Sequence, residues 1–457
     1  MKDVLHLQTD YLVIGAGAMG MAFVDELIHS SKSVRVILVD RRLKPGGHWN
    51  DAYDFVTLHQ PALYYGVSST KLEFDSFDLA SKTRICQYYE EVLSKLLATG
   101  RLSFYPGCSY EGGGVFRSLT DDNKEYRVDV KVKTVNAAYS DVSVPSTHPP
   151  AYEVSDTVHC VPINALSDLQ EDWERYVVIG AGKTALDALL YLMNKGVDPE
   201  RIFWIVSNDA WMLRRSELHP SQFVRSVSEQ FRAINKSVDP KSFFLEFENI
   251  GLLMRLDKNI WPRKFRCATV STEELQLIKG IKNVVRKGRV QKILSEQIIL
   301  ENGAIPTDVH TLHIDCTADG LKRLPSRPIF EADVVTLQPV YLCQPAFSAA
   351  FIAHVESRFN SDAVKNKYCT PVPYPQWTHE YFDSVGRTFD NVGMWGLTFF
   401  GWLSKNRLSI QAHITIVQGV IILVKSIFVI IPAFKRFQKY RTAIQEERER
   451  LKAVESI

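Results

Sequence analysis

A chain of 457 residues, 46% apolar and 23% charged, has the make-up of a globular protein of two or three domains, and a net charge of +2 gives no electrostatic reason to expect a nucleic-acid partner. Its seven cysteines are scattered and odd in number, with no CxxC pair and no metal-like cluster, so the expectation is free thiols in a reducing compartment and no metal site. Met1 to His6 carries no signal-peptide apolar run, and the expected location is cytoplasmic.

The first elements form one unit. Tyr11–Ile14 reads as a buried strand, and Gly15-x-Gly17-x-x-Gly20 follows at once. A helix is predicted over Met21–Ser30, and a second apolar strand, Val34–Val39, ends on Asp40. This is a dinucleotide-binding fingerprint in its full context. Gly15 allows the tight turn, Gly17 lets the backbone approach a pyrophosphate at the positive end of the helix, and Gly20 lets the helix lie close to the strand. Asp40 stands where an acid accepts a hydrogen bond from a ribose 2′-OH.

Gly46-Gly47-His48-Trp49 then sets two glycines before a bulky aromatic, which suits a loop passing close to a flat cofactor. Tyr53-Asp54, Leu58-His59 and Pro61 follow. These residues resemble the GG-x-W element of the class B flavoprotein monooxygenases and the YDR–LxLHLPK stretch of their plant auxin-forming members. In that resemblance Gly15, Gly17, Gly20 and Asp40 hold the ADP moiety of FAD. Gly47, Trp49 and His59 lie toward the isoalloxazine ring, with His59 the catalytic candidate.

Further along, Ser81–Thr99 has the apolar spacing of an amphipathic helix, with Gly100 at its end. Strands are predicted over Tyr105–Tyr110, Val115–Leu119 and Tyr126–Val132, as a small antiparallel insert. The proline-rich Val142–Ala151 reads as a connection. Tyr176-Val-Val-Ile-Gly-Ala-Gly182 then nearly repeats Tyr11–Gly17, with Gly180 and Gly182 in the turn and Ala185 at the third-glycine place. A helix over Ala185–Asn194 and a strand over Arg201–Val206 follow. Two such motifs imply two dinucleotides: FAD on the first, NADPH or NADH on the second. The second strand ends in Ser207-Asn208-Asp209, where the resembling families often carry an arginine. Arg214 and Arg215 are candidates to replace it against a 2′-phosphate, whereas Asp209 argues for NADH.

Glu217–Lys279 reads as mostly helical, with Pro262–Arg266 a basic loop. Three β segments follow, Asn283–Lys287, Arg289–Ser295 and Gln297–Leu300, with a hairpin turn at Glu301-Asn302-Gly303. Thr311–Gly320 resembles the element that closes the first domain in this superfamily, with Asp315 a cofactor candidate. The Gln338 and Gln344 amides are candidates for a flavin edge. Ile414–Phe434 is long and apolar, with Lys425 inside it and basic residues after it. It reads as a core or interdomain helix, a membrane-surface segment spanning about 414–440, or a membrane anchor.

The expected architecture is α/β: two Rossmann-like dinucleotide-binding domains, the second inserted in the first, and a helical C-terminal extension. The expected boundaries are 1–150, 151–310, 311–400 and 401–457. The resemblance implies an FAD-dependent NAD(P)H oxidoreductase, a monooxygenase acting on a small molecule with dioxygen. Members carry F-x-G-x-x-x-H between the fingerprints, where this chain keeps only His159. A flavin reductase without oxygenation and a non-catalytic nucleotide-binding protein are the alternative readings.

Overall fold

The computed structural model describes residues 3–455, except 73–78, 123, 220–221, 319, 321, 323, 416–423 and 425. Two parallel sheets organise the chain. In the first, Asp3–Ile14 is flanked by Val36–Asp40 and Lys124–Asn136, with Leu102–Pro106 beyond the former and Val334–Thr336 beyond the latter. The second is wholly parallel, in the order Asn283–Val285, Ile202–Ile205, Arg175–Ile179, Thr311–Asp315, Cys160–Pro162. Strands of the second sheet thus fall between strands of the first along the chain, which is the inserted arrangement expected.

Parallel strands buried on both faces carry continuous apolar runs, as residues 36–39 do; Thr311–Asp315 is also buried at every position, with its polar Thr311, His313 and Asp315 hydrogen-bonded. Helix Ala18–Ser30 packs on helix Pro345–Arg358. The small side chains of Ala346, Ala349, Ala350 and Ala353 let the two approach closely. Ser81 caps helix Lys82–Ala98 through its side chain, and Ile85, Tyr88, Tyr89, Val92, Leu93 and Leu96 are buried along one face. A third body gathers helices Phe223–Lys236, Pro240–Asn249, Thr378–Trp395 and Ile431–Glu455 around Phe243, Phe247, Phe382 and Phe437.

Several expectations change. The strand expected over Tyr105–Tyr110 is two, Leu102–Pro106 and Cys108–Gly112, because Gly107 turns the chain at φ +61°. Lys124–Asn136 outruns its predicted span; it completes the antiparallel insert beside Val115–Ser118 and pairs with Asp3–Ile14 along its length. The stretch expected to be helical contains strands Leu253–Met254 and Lys264–Val270, paired with Ala210–Arg214. The basic loop is part of that sheet, and buried Lys264 sits over the Trp377 ring. Thr311–Asp315 belongs to the second sheet; the chain rejoins the first at Phe330–Glu331 and Val334–Thr336. A short buried strand reads alike in either sheet, so only pairing distinguishes them.

The cysteine reading also changes, since Cys267 and Cys343, 76 residues apart, form a disulfide. The middle of Ile414–Phe434, residues 416–423 and 425, lies outside the described residues. Its end enters helix Ile431–Glu455, which docks through Ala433, Phe437 and Tyr440. Among the described residues no helix is long and apolar enough to cross a membrane.

Candidate dinucleotide-binding chamber

Both glycine turns open on one chamber of about 1330 Å³. At the first, Gly15 takes φ +105° and its N–H donates to the Val39 carbonyl. A Cβ on Gly20 would lie 1.9 Å from the Gly15 oxygen, so only glycine lets the helix sit this close. Gly17 caps helix Ala18–Ser30 without a side chain, leaving first-turn N–H groups toward the chamber. Gly47 crosses directly over it, and a Cβ there would lie 2.9 Å from the Gly17 Cα. Asp40 accepts from the Ala16 N–H at 2.6 Å and the Arg42 N–H at 2.7 Å. Its carboxylate fastens the turn and keeps lone pairs for a ligand hydroxyl.

The second turn repeats the geometry. Gly180 takes φ +135°, and a Cβ on it would lie 2.6 Å from the Cys316 oxygen. Gly182 caps helix Lys183–Asn194, and a Cβ there would meet nothing within 4 Å. Ala185 is fully buried in the third-glycine place. Lys183 pairs with Asp187, and Asp187 accepts from the Tyr53 hydroxyl at 2.5 Å, tying the second turn to the aromatic loop of the first.

That loop forms the wall between the turns. Trp49 donates through Nε1 to the Tyr65 hydroxyl at 2.6 Å and stacks on His48 with ring centroids 5.4 Å apart. His59 lies beside Thr269, whose hydroxyl donates to the His59 carbonyl. Burial first, then the charges of Lys183 and Arg215, hold the His59 imidazole at about 4, and burial and Arg42 do the same for His48. Both rings are neutral at neutral pH. They protonate near 6.5 in the unfolded chain, so their contribution to stability is whole above pH 6.5 and is lost as pH falls toward 4. Urea midpoints should fall across that window, and less so in His59→Gln; equal losses would remove His59 from the account.

Other sequence candidates are placed differently. Asp315 is buried outside the chamber wall and accepts from Thr317 and Tyr152, so it secures its own turn. Arg214 pairs with Glu217 at 2.8 Å and Arg215 with Glu274 at 2.7 Å, and neither lines the chamber. The cation at the end of the second strand is Arg286, which holds Asp209 with two hydrogen bonds of 3.0 and 3.1 Å. It follows the neighbouring strand Asn283–Val285, and only the pairing of that strand with Ile202–Ile205 could have pointed to it. His159 is exposed and outside the wall. Gln338 is bonded to the Arg327 backbone, whereas Gln344 lines the chamber with its Oε1 buried and unpartnered. Beyond the turns the wall becomes apolar, with Phe231, Ile234, Tyr381, Val385, Phe389 and Phe437 from the helical body.

A side-chain-free helix start at Gly17, free space at Gly182 and an orphaned buried amide oxygen at Gln344 fit two dinucleotides, one carrying a flat ring with hydrogen-bonding edges. The fold is that of the flavoprotein monooxygenases. An open form of cyclohexanone monooxygenase aligns over 92% of this chain and 98% of its own, with 13% identity and a TM-score of 0.51. Cyclohexanone monooxygenase from Rhodococcus sp. Phi1 bound to NADP+ aligns over 93% and 98%, with 14% identity and a TM-score of 0.50. At such identity the likeness is one of fold. The chain belongs to a family with uncharacterized protein Mb2023 of Mycobacterium bovis and uncharacterized protein Rv2000 of Mycobacterium tuberculosis; it is 43% identical to each over 428 residues, covering 89% of this chain and 79% of the relative. No protein-family model matches it.

Proposed function

We propose that the chain is an FAD-dependent NAD(P)H oxidoreductase, a monooxygenase that uses dioxygen on a small apolar molecule. The observation that carries this reading is the pair of side-chain-free helix starts, Gly17 and Gly182, opening on one chamber. The first turn would hold FAD and the second NAD(P)H, which together would supply the hydride and oxygen chemistry. The chain's own part is to bind, orient and exclude water. Helix starts at Ala18 and Lys183 receive the two pyrophosphates. Trp49 and Tyr65 form a rigid aromatic floor, and the neutral His59 offers an uncharged hydrogen-bonding edge. The unpartnered Gln344 Oε1 would accept a hydrogen bond from the ring edge. The apolar wall from Phe231 to Phe437 keeps water from the reacting region and selects uncharged substrates.

A reductase that hands its electrons on is the second reading, supported by the exposure of His159, which leaves the chamber without that motif's histidine. Purified protein is expected to release about one FAD per chain and to oxidise NADPH or NADH. Protein free of flavin, or inert to both nucleotides, would overturn the proposal.

Asp209 lines the chamber where the nucleotide 2′ position is expected, with Arg286 behind it. In Asp209→Ala the freed guanidinium should raise the ratio of kcat/KM for NADPH over NADH by roughly tenfold or more, since a hydrogen bond to a charged group is worth about 1.5–3 kcal/mol. An unchanged ratio would place the 2′ position elsewhere.

A further inference from the structure

The Cys267–Cys343 disulfide has no part in the reading above. Both cysteines line the chamber and are half-buried; of the unpaired cysteines, Cys108 and Cys316 also reach its wall but are buried, and Cys369 is buried away from it. Cys267 sits at the bulge where strand Lys264–Val270 shifts register against Ala210–Arg214. Two residues on, Thr269 holds the His59 loop. Cys343 adjoins Gln344, at the start of helix Pro345–Arg358. The pair therefore bridges the two elements that flank the proposed flavin ring.

Two further features separate it from a plain structural staple. Four described non-glycine residues have positive φ, and two of them are Cys267 (54°) and Cys343 (56°). Such backbone positions are uncommon and collect at functional sites. Cys343 also lies at the positive end of a 14-residue helix, where a thiolate is favoured once the bond opens.

We propose that Cys267–Cys343 is a redox-active pair that takes up electrons inside the cofactor chamber, which makes this chain a dithiol–disulfide oxidoreductase as well; the inference rests on the FAD and NAD(P)H reading. The step is balanced: NAD(P)H gives a hydride, relayed through the flavin as two electrons and a proton, and solvent gives a second proton. The Sγ–Sγ bond breaks and two thiols form. Transfer onward is to a disulfide small enough to enter the chamber, by thiol–disulfide exchange, which restores the bond and releases two thiols.

The test counts thiols in denatured holoprotein, before and after anaerobic treatment with NADPH or NADH, while the flavin absorbance is followed separately. The expected count is five before, from Cys86, Cys108, Cys160, Cys316 and Cys369, and all seven cysteines after. Electron uptake per flavin should double from about two to about four. Cys343→Ser should show its six thiols under both conditions, and Cys267→Ser replaces it if that variant does not fold. A flavin that bleaches while the count stays at five overturns the pair's role and leaves the FAD and NAD(P)H reading standing. Seven thiols before any reductant also overturn it. If neither nucleotide bleaches the flavin, that reading fails instead, and the flavin is reduced by light with EDTA; seven thiols then support the pair and five overturn it. A preparation without flavin ends both.

Discussion

Gly17→Ala is expected to lose flavin while keeping the fold. The added methyl would stand 3.6 Å from the Gly47 Cα, an ordinary contact, and the φ of −78° suits alanine. Apo stability should therefore change by less than about 1 kcal/mol, much of it the weaker N-cap. The methyl instead crowds the bare helix start that a pyrophosphate would approach, so FAD affinity should fall at least about tenfold, or about 1.4 kcal/mol. Gly20→Ala is the contrasting variant. Its methyl meets the Gly15 carbonyl at 1.9 Å, a backbone atom that cannot step aside. It should destabilise the protein by about 1–3 kcal/mol or more, with or without flavin. Flavin content and denaturant midpoints of the two variants check this, and matched losses of both quantities would contradict the assigned roles.

Arg407→Ala should be the most destabilising change in the C-terminal region. The guanidinium donates to the carbonyls of Val67 at 2.7 Å and of Leu63 and Tyr65 at 2.9 Å. It thus gathers the loop that carries Tyr65, the partner of Trp49. Removing it leaves several enclosed carbonyls unpaired, at a cost of about 3 kcal/mol or more, which for a chain of this size is a Tm lower by roughly 3 °C or more. Arg407→Lys should recover only part, because an ammonium cannot span three carbonyls in a fixed fork. Thermal unfolding followed by tryptophan fluorescence measures both, and a change under about 2 °C in the alanine variant would mean that the loop holds itself.

The parts of this chain that were legible in its sequence are those whose physics is local. A glycine turn between a strand and a helix is written in ten consecutive residues, and both turns stand where Gly15–Gly20 and Gly180–Ala185 place them. The apolar face of helix Lys82–Ala98 was equally local. What stayed hidden depends on pairing between distant segments. Arg286 reaches Asp209 only because two strands run side by side. Cys267 meets Cys343 across 76 residues, and Arg407 reaches a loop more than 300 residues earlier. Asp315 shows the converse: an acid in the right local pattern is turned inward by Thr317 and Tyr152. The long apolar segment after Ile414 was ambiguous because periodicity alone does not say what an apolar face meets.

The most direct measurement mixes holoprotein anaerobically with NADPH, and separately with NADH, then adds oxygen while the flavin spectrum is recorded. At least one nucleotide is expected to bleach the flavin, with a transient species preceding the return of oxidised FAD. Bleaching followed by direct reoxidation would contradict oxygenation and favour the reductase. A flavin that neither nucleotide bleaches would contradict the central claim that the two turns serve one hydride transfer.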